Sequence, residues 1–175
     1  MMCAFYALKL IRSDEIVNFK MTTNSKNCGV FDDVELQVTF RNTKSVKFLI
    51  QLKHKEAAKP ISTHHLYTGK QKGDFDVEKY FNSMSSEIDA TEDVVCILYT
   101  NSPTYIEESA QLSATINITK CAFLECEELL LNSKHIDRRC IFEVESTELN
   151  KKFYFFTDQN NIFDTKIQVE ELLRD

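Results

Sequence analysis

The chain is poor in residues that interrupt regular structure: its 175 residues include three glycines, two prolines and no tryptophan. So few turn formers exclude a collagen-like, low-complexity or loop-dominated protein. No apolar run approaches the roughly 20 residues that span a bilayer. The opening MMCAFYALKLIRSD lacks the basic stretch that precedes the apolar core of a secretory signal. There is no CxxC pair, which argues against a zinc knuckle, and no glycine-rich phosphate loop, which argues against nucleotide-driven work. Internal repeats and obvious linkers are also lacking.

What is present fits a globular domain. Hydrophobic residues make up 43% and charged residues 27%, and the length suffices to bury a sizeable core, so residues 1–175 are expected to form a single domain. Six cysteines lie scattered at 3, 28, 96, 121, 126 and 140, several inside apolar segments. Without a secretory signal they read as reduced thiols of an intracellular protein, cytoplasmic or nuclear, with no membrane partner. Cys121, Cys126, His135 and Cys140 can be drawn as a zinc set, though without a tight knuckle. Asn117-Ile118-Thr119 fits a glycosylation sequon, which has no consequence in a chain that is not secreted.

The net charge of −6 hides an asymmetry, +4 over residues 1–80 and −10 over residues 81–175. Lys44, Lys47, Lys53, Lys55, Lys59, Lys70 and Lys72 carry most of the positive excess. A local polyanion site would produce this pattern, and so would a solvated lysine-rich surface.

The segment Phe31 to Lys55 reads as a β-hairpin. Val34, Leu36, Val38 and Phe40 alternate with polar residues, as do Val46, Phe48, Ile50 and Leu52. A turn centred on Thr43 would set Asp33 opposite Lys53 and Glu35 opposite Gln51. A carboxylate, a carboxamide and an ammonium would then converge at the open end, suited to a divalent metal and a phosphate. A merely wet hairpin surface on a small structural domain would carry similar residues.

Elsewhere the periodicity predicts helices over 3–12, about 64–69, from Asp74 or Asp76 through Ile88, over 123–131 and over 167–174. It predicts strands over 16–22, 93–100, 141–145 and 152–157, and either a strand or an amphipathic segment over 113–119. The uninterrupted apolar run DVVCILYT points to a strand buried on both faces, hence an α/β fold with a central mixed sheet flanked by helices.

An Asp at the start of one strand followed by Gln-x-Lys at the end of the next resembles the PD-(D/E)XK nucleases, the restriction-endonuclease-like fold. The residues that carry the resemblance are Gly29-Val30-Phe31-Asp32-Asp33-Val34 and Phe48-Leu49-Ile50-Gln51-Leu52-Lys53-His54-Lys55, with the segments DFDVEKYF and YTNS. The stretch is similar to nuclease-type domains attached to large NACHT or ankyrin-repeat proteins. It covers roughly residues 5–105 and leaves 106–175 as an unassigned part of the same domain.

The resemblance implies a metal-dependent endonuclease that hydrolyses phosphodiester bonds. Asp33 and Gln51 would serve Mg²⁺ or Mn²⁺, and Lys53 would be the catalytic lysine. Asp32 competes with Asp33, Glu35 is a possible further ligand, and Asn24 occupies the place where an upstream acid is expected. Lys44, Lys47, Lys55, Lys70 and Lys72 would contact nucleic acid, DNA ahead of RNA, with a protein partner or homodimer also open. Asn24 and Gln51, both amides where acids are usual, leave an alternative open: a degenerate, inactive nuclease fold that binds nucleic acid or protein. The short first helix implies an N-terminal portion outside this chain.

Overall fold

The computed structural model describes residues 1–26, 28–69, 73–88, 93–124, 127–131 and 140–174. One eight-stranded mixed sheet organises them, in the order β1-β2-β3-β4-β8-β7-β6-β5. The strands are β1 (Ile16–Thr23), β2 (Val34–Phe40), β3 (Ser45–Lys53), β4 (Val94–Thr100), β5 (Ser109–Gln111), β6 (Ile116–Lys120), β7 (Ile141–Ser146) and β8 (Lys151–Phe156). The helices are α1 (Met2–Arg12), α2 (Thr63–Leu66), α3 (Val77–Glu87), α4 (Glu127–Leu130) and α5 (Ile162–Leu172). Only β3–β4 and β4–β8 pair in parallel; the other pairs are antiparallel. No described helix is long and apolar enough to cross a membrane.

Burial on both faces makes β3 and β4 the spine. On one face Phe48 and Ile50 of β3 and Ile97 and Tyr99 of β4 pack with Phe5, Tyr6 and Leu10 of α1 and with Leu130 of α4. On the opposite face Leu49 of β3 and Cys96 and Leu98 of β4 pack with Val77, Tyr80, Phe81 and Met84 of α3. Asp76 caps α3 by accepting from the Glu78 amide at 3.3 Å, and its second oxygen takes the Thr68 hydroxyl. Buried carboxylates persist where such donors surround them.

The hairpin register differs from the expected one. Val38 pairs with Val46, Leu36 with Phe48 and Val34 with Ile50, two residues away from a turn centred on Thr43. The Phe40 amide donates to the Lys44 carbonyl at 2.8 Å, and Thr43 takes a left-handed φ of 68°. A three-residue loop with its last residue left-handed is a common hairpin closure, and it centres the turn on Asn42. The two-residue shift preserves parity, so the apolar face stays buried, but it changes every cross-strand partner. Glu35 therefore pairs with Leu49 rather than Gln51, and the strand position opposite Asp33 becomes Gln51 rather than Lys53.

Smaller differences lie at other elements. The terminal helix starts at Ile162, ahead of the expected 167, because Asn161 caps it by accepting from the Asp164 amide at 2.9 Å. The helix expected over 123–131 contains one described turn, α4, while residues 125–126 fall outside the described set. The short edge strand β5 carries no periodic signal in its three residues.

Candidate functional site

Strand directions gather one set of residues at one edge of the sheet. The end of β1, the start of β2 and the carboxyl ends of the parallel strands β3, β4 and β8 all meet there. Carboxyl ends of parallel strands are the usual ligand-binding edge of open α/β sheets. A cavity of about 460 Å³ opens at this edge, lined by Asn24, Asp33, Leu52, Lys53, His54, Tyr99, Asn101 and Asn160, with Met2 and Cys3 of α1 and Ile162 and Thr165 of α5.

Asp33 is held at the rim by two donors on one oxygen. The Gln51 carboxamide donates to Oδ2, and the Leu52 amide donates to the same atom at 2.7 Å. Gln51 is buried at 6% exposure and thus depends on that partner. Lys53 follows on β3 and lines the cavity without an ion pair among the described residues. Its carbonyl accepts from the Thr100 hydroxyl at 2.7 Å, which locks the β3 end to the β4 end.

A second clamp lies one step further along. The Asn101 carboxamide accepts from the Lys55 amide at 2.9 Å and donates to the Lys55 carbonyl at 2.8 Å. It works as a surrogate strand partner and extends the pairing of β3 with β4 beyond their last residues. Lys55 itself bonds Asp74, whose pKa is lowered chiefly by that hydrogen bond; burial opposes it, and the charges of Lys55, Lys53 and Lys79 add to the lowering. The Tyr80 phenol donates to the Asp74 carbonyl at 2.5 Å; burial, then the negative charges of Asp74 and Asp33, push its pKa upward and keep it neutral.

The sequence candidates are thus distributed unevenly. Asn24, Asp33 and Lys53 share the cavity, and Gln51 touches Asp33. Asn24 has a left-handed φ of 51° just past β1. Asp32 is absent from the cavity lining, and its carbonyl instead accepts from the Ser25 amide at 3.1 Å. Glu35 turns to Gln37 and Cys28, accepting at 3.2 and 3.6 Å. Lys44 and Lys47 lie at the turn end of the hairpin. Lys47 is six residues from Lys53 on the same strand, about 20 Å at the rise of an extended chain. Lys44 pairs there with Asp93 at 3.7 Å. Lys70 and Lys72 are outside the described residues, as are Cys126 and His135 of the possible zinc set.

Among the described residues no group of three His, Cys, Asp or Glu side chains could hold a metal ion. Asp33 is the one carboxylate among the residues that line the cavity; Asn24, Asn101 and Asn160 add carboxamides, and Gln51 lies behind Asp33, outside the lining. Asn160 and Ile162 escaped sequence reasoning because the β8–α5 connection delivers them from far along the chain, and no local pattern marks them. No family model and no curated protein matches this sequence, and no solved structure matches this fold.

Proposed function

We propose that the chain is a nuclease-like protein of the PD-(D/E)XK type whose Asp33, Gln51 and Lys53 act on a phosphodiester of nucleic acid. The observation that supports this reading most is the convergence of Asp33 and Lys53 on one cavity, with Gln51 bonded to Asp33, at the carboxyl edge of the parallel strands. A wet hairpin surface would pair these residues as well, but it would not set Asp33 and Lys53 on the wall of one cavity.

Mg²⁺ commonly takes one or two carboxylates and fills its remaining positions with water and phosphate oxygens. Asp33 alone supplies the minimum of such a set, and Gln51 would join it by turning its carbonyl oxygen inward. Bound there, the metal would polarise the phosphate and lower the pKa of water. The chain's own part is to hold Asp33 rigid through Gln51 and the Leu52 amide, and to place the Lys53 ammonium where negative charge develops on the phosphate. A location inside a cell, in cytoplasm or nucleus, would bring the protein to such a substrate.

A second reading is favoured by a specific observation. One carboxylate, with one oxygen already accepting two hydrogen bonds, also suits a degenerate site that binds nucleic acid or a protein partner without cleavage. Purified protein incubated with plasmid and single-stranded substrates, in Mg²⁺, Mn²⁺ or EDTA, separates the two. Metal-dependent cleavage is expected to fall at least about 100-fold in Lys53→Ala. Equal cleavage by wild type and variant would remove the nuclease proposal, and salt-sensitive binding without cleavage would select the degenerate reading.

A further inference from the structure

We propose that the cavity beside Asp33 receives a single unpaired nucleotide, so that the preferred ligand is single-stranded nucleic acid or the unpaired end of a duplex. The inference rests on the reading of this site as one for nucleic acid and goes on to name the form of the strand.

The cavity, at about 460 Å³, is of the size that encloses small ligands, roughly 300–1,000 Å³. Met2, Cys3, Leu52 and Ile162 give it apolar walls against which a base plane can lie, and Lys53 stands among them for the attached phosphate. A base that is paired and stacked presents only its edges in the grooves, so it has no face to offer such walls. An unpaired one does, and enzymes that hold such bases pack them between apolar or aromatic groups and read their edges by hydrogen bonds. Asn160 lines the cavity, where its carboxamide can meet the edge of such a base.

The charge distribution points the same way. A duplex gains affinity from many phosphate contacts. Lys44, Lys55, Lys120, Lys152 and Lys166 are instead paired with carboxylates. The adjoining cavity of about 710 Å³ shares His54, Asn101, Asn160 and Ile162 with the first and adds Glu56, Asp158 and Asp164 against one cation, Lys166, itself paired with Glu170, so its net charge disfavours a continuing backbone. The strand is thus gripped at one nucleotide rather than along a track.

The test is fluorescence anisotropy with short labelled probes in metal-free buffer: single-stranded DNA, single-stranded RNA, blunt DNA duplex and duplex with an unpaired overhang. Single strands and overhangs should bind at least about tenfold more tightly than the blunt duplex. The logarithmic salt slope should stay shallow, about 0.7 per phosphate neutralised. Ile162→Glu should weaken single-strand binding about tenfold and Ile162→Gln much less. Residue 162 is 55% exposed at the first position of a helix, where an acid is favourable, so the variant should fold. Preference for the blunt duplex, a steep salt slope or an inert Ile162→Glu overturns the inference, and binding of none of the probes overturns it together with the nucleic-acid reading. Duplex preference with Lys53-dependent cleavage overturns the inference alone. Single-strand preference without such cleavage supports it and removes only the catalytic proposal.

Discussion

In the proposed reading, Gln51 sets how much metal chemistry the site could do. Its carboxamide donates to Asp33, so it stabilises a carboxylate where a second acid would compete for the same metal. Gln51→Glu replaces that donor with a like charge. Without metal the variant should lose about 1–3 kcal/mol, or several degrees in Tm, since about 2–4 °C accompanies each kcal/mol in a domain of this size. Added Mg²⁺ should restore most of the loss, because two carboxylates then share one cation. Differential scanning calorimetry in EDTA and in Mg²⁺ reads both effects, and a variant whose Tm ignores Mg²⁺ would speak against a metal at this position. Asp74 makes a separate residue-scale prediction. Its carboxyl is held below the ordinary 3.8 in the folded protein by Lys55. The folded state therefore binds fewer protons, and the contribution is present above the unfolded value and fades as pH falls through the folded one. Both partners are substantially exposed, at 40% and 48%, so the contribution is less than about 1 kcal/mol. Asp74→Asn should lower stability slightly at neutral pH, and the difference from wild type should close in urea titrations below about pH 4.

At the scale of elements, α3 depends on one buried acid. Asp76 is fully buried, caps the helix at the Glu78 amide and takes the Thr68 hydroxyl. Asp76→Ala removes the acceptor of both the Glu78 amide and the Thr68 hydroxyl and should cost about 2–3 kcal/mol in denaturant unfolding. A loss under about 0.5 kcal/mol would mean that the cap is dispensable. This helix was legible because its signals are local: an Asp before the apolar stripe Val77, Tyr80, Phe81 and Met84. Parity in β2 and β3 was legible for the same reason. The hairpin register was not, because alternation is unchanged by a shift of two and only the left-handed Thr43 distinguishes the loops. The start of α5 was hidden because Ile162 and Phe163 are exposed apolar residues that mimic a chain segment outside a helix, while the cap at Asn161 sets the boundary. For the site, Asp33, Gln51 and Lys53 could be read from strand order. The carboxamide clamp of Asn101 and the wall from α5 arise only from tertiary neighbours.

At the scale of the whole molecule, residues 106–175 carry no motif yet supply half of the sheet. β8 lies between β4 and β7, so the last strand in sequence fills the centre, and the site edge is completed by the residues that follow it. Phe153 joins the two parts of the chain: its ring meets Phe31, Tyr80 and Phe81 at 5.9, 5.6 and 5.2 Å between centroids. A truncation after residue 105 would retain Asp33, Gln51 and Lys53 but leave β4 as an apolar edge and strip Phe153 and Phe155 from the α3 side of the core. The fragment should show no cooperative thermal transition and should bind a hydrophobic dye, whereas the full chain should melt in a single step. Phe153→Ala in the full chain probes the same coupling more gently. It should cost about 3–5 kcal/mol, a large share of the roughly 5–15 kcal/mol that a domain holds in reserve. Circular dichroism in the far ultraviolet and tyrosine fluorescence should give the same midpoint for that variant, because no part of the sheet keeps a core of its own. Two separated midpoints, or a cooperative fragment 1–105, would show instead that the first half folds alone and that the site edge needs only the strands that bear Asp33 and Lys53.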